Sequence, residues 1–141
     1  MAYEHTFVLQ LRTNRICNQR HEDTNYKKIF PVKYYNISLS NFKFQSKSKQ
    51  YVNKFIKIEE NDPSDLIEVH NRPNYLSEIV KSLGKKNLVL YFHNDPTKMK
   101  GSISIKEREA ILKNVAGLVF VSKFLKEKFL EGIDINSSRL Y

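Results

Sequence analysis

Two segments of similar make-up carry the side chains best suited to chemistry, His70-Asn71-Arg72-Pro73 and His93-Asn94-Asp95-Pro96. An imidazole can hydrogen-bond a sugar hydroxyl or a phosphate and exchanges a proton near neutral pH. Asn71 and Asn94 each add a donor and an acceptor, and Asp95 adds a carboxylate. Arg72 has the fork geometry that clamps a carboxylate or phosphate at two points, against the plainer account of an exposed arginine. Asn and Asp near Pro are also ordinary turn chemistry, with the side chain satisfying nearby backbone groups. Two such segments in one sheet shift the weight toward a shared polar cleft.

A second candidate is the loop Thr97-Lys98-Met99-Lys100-Gly101-Ser102, which brings two lysines, a glycine and a serine to the start of a helix. Backbone N–H groups at a helix N-terminus favour anions. The Gly-Lys-Ser/Thr ending of a Walker loop is absent, as are a GxGxxG turn and a GxSxG nucleophile elbow. Four histidines, His5, His21, His70 and His93, could in principle hold a metal, but no HExxH or close Cys/His spacing supports one, and none is expected.

These groups depend on three apolar runs, Leu66-Ile67-Glu68-Val69, Leu88-Val89-Leu90-Tyr91-Phe92 and Leu118-Val119-Phe120-Val121. Near-continuous hydrophobicity predicts strands of a parallel sheet covered on both faces. Between the first two, Leu76, Ile79, Val80 and Leu83 repeat at helical spacing and Gly84 supplies a stop. Before the third, Ser104-Ile105-Lys106-Glu107 has the form of a capping box, followed by an apolar stripe of Ile105, Ile111, Leu112 and Val115. After it, Ser122 can cap a helix in which Leu125, Phe129 and Ile133 share a face. Residues 65–133 therefore read as βαβαβα, with right-handed crossovers in one sheet and helices on its faces. Both His-Asn segments then fall at the carboxyl ends of strands, where open α/β sheets bind ligands. Residues 1–64 are less well defined, with strands predicted over 7–11 and 34–39, a connection over 12–33 and a helix over 46–60.

Twenty-four Lys and Arg against fifteen Asp and Glu give a net charge of +9. That balance favours anionic partners, whether phosphate groups, nucleic acid or an acidic lipid surface. The lysines of 43–57 and 123–128 suit a solvated helix face as well as attraction to an acidic membrane. The single Cys17 excludes an intramolecular disulfide and points to a reducing compartment. No run approaches the ~20 apolar residues of a membrane span, and the N-terminus lacks a signal-peptide core. The expectation is a cytoplasmic protein, with peripheral contact at the inner face of the membrane left open.

The ordered set Asp65-Leu66-Ile67-Glu68-Val69-His70-Asn71-Arg72-Pro73, Leu90-Tyr91-Phe92-His93-Asn94-Asp95-Pro96, Met99-Lys100-Gly101-Ser102, Glu107-Arg108, Val119-Phe120-Val121-Ser122-Lys123-Phe124 and Phe129-Leu130-Glu131-Gly132 resembles family 4 glycosyltransferases of bacterial envelope polysaccharide synthesis. The resemblance covers residues 65–133. It implies a Rossmann-like parallel sheet flanked by helices, the N-terminal half of a GT-B fold whose other half binds the nucleotide sugar. It further implies transfer of a hexosyl group to a polysaccharide, lipopolysaccharide or lipid-linked acceptor without a bound metal or other cofactor. By motif, His93 and Asp95 would be the catalytic pair. His70, Asn71, Arg72, Asn94, Lys98, Lys100, Gly101, Ser102 and Ser122 would line the substrate cleft. The paired-glutamate motif of the donor domain and the opening strand with its glycine-rich loop have no counterpart here. The resemblance therefore implies an acceptor-side domain truncated before the donor-binding domain, with 134–141 a cut tail, inactive unless a separate polypeptide supplies the donor half. The alternatives are a basic module for nucleic acid or an acidic surface, and a noncatalytic remnant; no specific nucleic acid is expected.

Overall fold

Backbone chemistry close to each segment decides where the helices begin and end. In the computed structural model, which describes residues 6–9, 45–84 and 87–133, Ser46 caps helix α1 (Lys47–Asn61) by accepting a hydrogen bond from Lys49 N at 3.2 Å. Val52, Phe55, Ile56 and Glu59 of α1 are buried, at the spacing of one helical face. Glu59, fully buried, accepts from Ser64 N at 2.7 Å and Ser64 Oγ at 2.9 Å, which closes the turn into strand β2 (Leu66–His70). A single 3-10 turn, Pro73–Tyr75, leads into helix α2 (Leu76–Leu83). Gly84 ends α2 at φ +73°, a left-handed angle that favours glycine, and donates its N–H to Val80 O. Strand β3 (Leu88–Phe92) and a second 3-10 turn, Pro96–Lys98, precede helix α3 (Ile105–Asn114).

The capping box expected for α3 is complete. Ser104 Oγ accepts from Glu107 N at 3.2 Å, and Glu107 Oε2 accepts from Ser104 N at 2.9 Å. Those bonds hold the Glu107 carboxyl below its usual value. Strand β4 (Gly117–Phe120) is followed by helix α4 (Lys123–Leu130), capped by Ser122 Oγ accepting from Leu125 N at 3.3 Å. Ile111 and Val115 of the predicted stripe are buried and Leu112 is half-buried, but Ile105 at the first helical position is 45 % exposed.

The fourth strand, β1 (Thr6–Leu9), pairs with β2, and all four strands run parallel in the order β1-β2-β3-β4. The sheet is thus α/β, parallel and open, with helices packed against it. The predicted strand over 34–39, the connection over 12–33 and the tail 134–141 lie outside the described residues, as do Cys17, His5 and His21.

One expectation needs correction. The three runs were expected to form strands covered on both faces, yet burial along β2 and β3 alternates residue by residue. The register pairs Ile67 with Leu88, Val69 with Leu90 and Leu90 with Leu118, so these five side chains share one face. Residues from all four described helices join that face in a single core. The described helices share one side of the sheet, which is where right-handed crossovers in an order without reversal would place them. Glu68, His70 and Tyr91 occupy the other face and are only half-buried.

Candidate functional site at the carboxyl edge of the sheet

Side chains two residues apart on a strand share a face. Glu68 and His70 therefore point the same way from β2, as do Tyr91 and His93 from β3 and its continuation. The register sets His70 beside Tyr91 and so brings all four together. The rings of His70 and Tyr91 lie 4.4 Å apart at 9°. His70 Nδ1 and His93 Nε2 are 2.9 Å apart, a hydrogen bond between imidazoles. Tyr91 donates its hydroxyl to Glu68 Oε1 at 3.0 Å, and Glu68 Oε2 lies 3.5 Å from His70 Nε2. Burial, then the bond to the Glu68 carboxylate, pushes the Tyr91 hydroxyl above its ordinary value, so it remains a protonated donor. His93 is exposed, and the cluster reaches solvent through it.

The backbone at the β2 tip holds this pairing in place. Asn71 has φ +54°, a left-handed conformation that Asn tolerates better than most residues. From there Asn71 Oδ1 accepts the His93 backbone N–H at 2.7 Å while Asn71 N donates to Tyr91 O at 2.9 Å. The two His-Asn segments are thus physically joined. Arg72 Nη1 donates to Asn71 O at 2.8 Å and stiffens the same turn.

The remaining predicted positions are placed differently. Asp95 caps the second 3-10 turn, accepting from Thr97 N at 3.0 Å and Thr97 Oγ1 at 2.7 Å, with Lys98 Nζ 3.8 Å from its other oxygen. Its carboxylate therefore serves its own turn rather than the imidazole pair. Ser102 is fully buried and donates to Pro96 O at 2.6 Å, which makes it a fold-holding residue. Gly101, at φ +94°, lies so close to the first tip that a Cβ would fall 2.6 Å from Asn74 N. Close approach of the first tip is enough to require glycine there. Asn94, Lys98 and Lys100 are exposed at this edge, and Ser122 is an exposed helix cap. Glu68 and Tyr91 were not singled out from the sequence; the Glu-x-His and Tyr-x-His spacings were the signal that could have found them.

The Asp95 turn carries a pH dependence. Hydrogen bonding from the Thr97 hydroxyl lowers the Asp95 carboxyl below 3.8, helped by the Thr97 N–H and by Lys98. A depressed carboxyl stabilises the fold above its unfolded value, and that contribution is lost as pH falls through the lowered folded value. In an NMR titration the Asp95 midpoint should lie below 3.8 and the Thr97 amide should lose its hydrogen-bonded shift with it. Thr97→Val should move the midpoint up; equal midpoints in both proteins would exclude this account of the turn.

Among the described residues no group of three or more His, Cys, Asp or Glu gathers to hold a metal ion, and no helix is long and apolar enough to cross a membrane. Comparison of the chain with protein-family models, with curated proteins and with solved structures found no match.

Proposed function

We propose that this chain is the acceptor-side half of a GT-B glycosyltransferase, which transfers a hexosyl group from a nucleotide sugar to a lipid-linked or polysaccharide acceptor at the inner face of a membrane. The observation that carries the reading is the imidazole pair of His70 and His93, fastened together at the carboxyl edge of a parallel sheet. The exposed ring of His93 is suited to meet an acceptor hydroxyl as that oxygen attacks the anomeric carbon. A facing donor domain would hold the nucleotide diphosphate, and no resident cofactor enters the chemistry.

A lipid-borne acceptor suits the same edge. Ile103 and Val121, in the segments that follow β3 and β4, and Phe124, in the first turn of α4, are each more than half exposed. Lys98, Lys100 and Lys123 stand in the same segments, also exposed. Apolar side chains interspersed with lysines fit an anionic bilayer surface, each nearby Lys contributing on the order of 1 kcal/mol.

The test is binding to the intact chain of a short-chain polyprenyl diphosphate sugar and of a panel of nucleotide sugars, followed by NMR. Shifts should concentrate at His70 and His93, and His93→Ala should weaken acceptor binding roughly tenfold, about 1.4 kcal/mol. If neither imidazole responds to any of these compounds, the reading is wrong.

A further inference from the structure

Resting on the transferase reading, we infer that Glu68, Tyr91 and His70 form a one-proton relay that orients His93 and draws the acceptor proton inward. An ionised carboxylate only accepts hydrogen bonds, so the Glu68 oxygen that faces His70 Nε2 requires a proton on that nitrogen. A neutral His70 then has a bare Nδ1, and its 2.9 Å contact requires His93 to donate from Nε2. His93 is left with an unprotonated Nδ1 on an exposed ring. Tyr91 fixes the far end, since its hydroxyl occupies Glu68 Oε1 and leaves Oε2 for His70. Tyr91 stacks on the face of His70, with ring centroids 4.4 Å apart at 9°, and His70 and His93 are inclined by 23°, which limits rotation of the His70 ring.

The proton accounting closes. As the acceptor oxygen bonds to the anomeric carbon, the bond from that carbon to the nucleotide diphosphate breaks and the leaving group departs with the electron pair. The acceptor O–H proton passes to His93 Nδ1, and the proton on His93 Nε2 passes to His70 Nδ1. The positive charge ends on His70, beside the Glu68 carboxylate, where an opposite charge at 3.5 Å favours it. Among the described residues, the titratable side chains against the pair are Glu68 and Tyr91, from β2 and β3. On β4 the residue paired with Tyr91 is Val119, which does not titrate. His93 is the group that would touch substrate; Glu68, Tyr91 and His70 are positioning residues.

The test is 15N NMR of the imidazoles in the full chain, recorded without any sugar. The wild type should show His70 protonated at Nε2 and bare at Nδ1, with a through-hydrogen-bond coupling from His70 Nδ1 to His93 Nε2. Glu68→Leu should remove the coupling and reduce the Nε2-protonated preference of His70 roughly tenfold, the equivalent of one hydrogen bond to a charged group. Glu68→Gln, whose amide oxygen still accepts, should restore the coupling. A wild-type His70 protonated at Nδ1, or a Glu68→Leu spectrum identical to wild type, would overturn the relay. Should Glu68→Leu fail to fold, the wild-type protonation state and the Glu68→Gln spectrum decide. Because no sugar is present, a failed relay and a failed transferase reading give different results: the first alters the imidazole spectrum, the second abolishes acceptor binding.

Discussion

Phe92→Ala should destabilise the domain by about 3–5 kcal/mol, a large part of the ~5–15 kcal/mol that holds a typical domain together. Phe92 is fully buried at the end of β3, stacked on Phe120 with ring centroids 5.5 Å apart at 7° and tilted against Phe129 at 5.3 Å. Phe120 and Phe129 complete the triangle at 5.4 Å, so removing one ring strips contacts from both others and from α4. The consequence reaches the site, because the next residue is His93. With the last side chain of β3 gone, the strand end that aims the exposed imidazole loses its anchor in the core. Urea unfolding followed by circular dichroism should show a markedly lower midpoint at an unchanged slope. Phe92→Leu, which keeps most of the volume, should cost well under half as much. A midpoint unchanged by the alanine variant would mean that the aromatic triangle is not a packed unit.

That triangle was half legible in the sequence. The runs containing Phe92 and Phe120 announce strands, and Phe129 stands on the predicted apolar face of its helix, but their meeting depends on Phe92 pairing with Phe120. Register is a long-range fact, and a period within one segment does not contain it. The same limit explains the site. His70 and His93 could be placed at strand tips from their own neighbourhoods, whereas their contact with Glu68 and Tyr91 needs the pairing of His70 with Tyr91. Reading Leu66–Val69 and Leu88–Phe92 as continuously apolar also blurred their two faces. Glu68 and Tyr91 sit at the alternate positions, where a strand with helices on one side can carry polar groups.

Local chemistry was the most readable. Ser104 with Glu107, Ser122 and Gly84 end or begin helices because each satisfies a backbone group within four residues of itself. The loop over 97–102 shows the converse. Its lysines, glycine and serine have the composition of an anion site, but Gly101 also lets Asn74 approach and Ser102 also bonds the Pro96 carbonyl, neither of which the composition announced. Composition cannot distinguish a glycine that admits a ligand from one that admits another loop.

Arg108 is the position where sequence reasoning had least purchase, since an arginine on an otherwise charged helix turn is ordinarily solvated. It is instead 4 % exposed, with Nη1 donating to Ile103 O at 2.8 Å and Nη2 to Glu131 O at 2.7 Å. Ser102 O lies 3.4 Å from Nη1, and Nε is buried without a partner among the described residues. One guanidinium thus ties the loop after β3 to the residue that ends α4. Arg108→Met keeps much of the volume but removes every donor. Stranding the partly buried carbonyls should cost about 2–3 kcal/mol, the penalty for leaving buried acceptors unpaired. The missing Nε bond and the freedom from burying a charge keep the loss from being larger. Arg108→Lys should recover only part of it, because a single ammonium cannot span two carbonyls held by a planar fork. Hydrogen exchange should show Ser104 and Ile133 opening well before the core strands. The loop leading to Ser104 carries Gly101, whose close approach to Asn74 connects it to the His70 tip, so the imidazole coupling between His70 and His93 should weaken in Arg108→Met as well. Exchange rates unaltered across residues 101–104 would show that the guanidinium fills space there without joining the two loops.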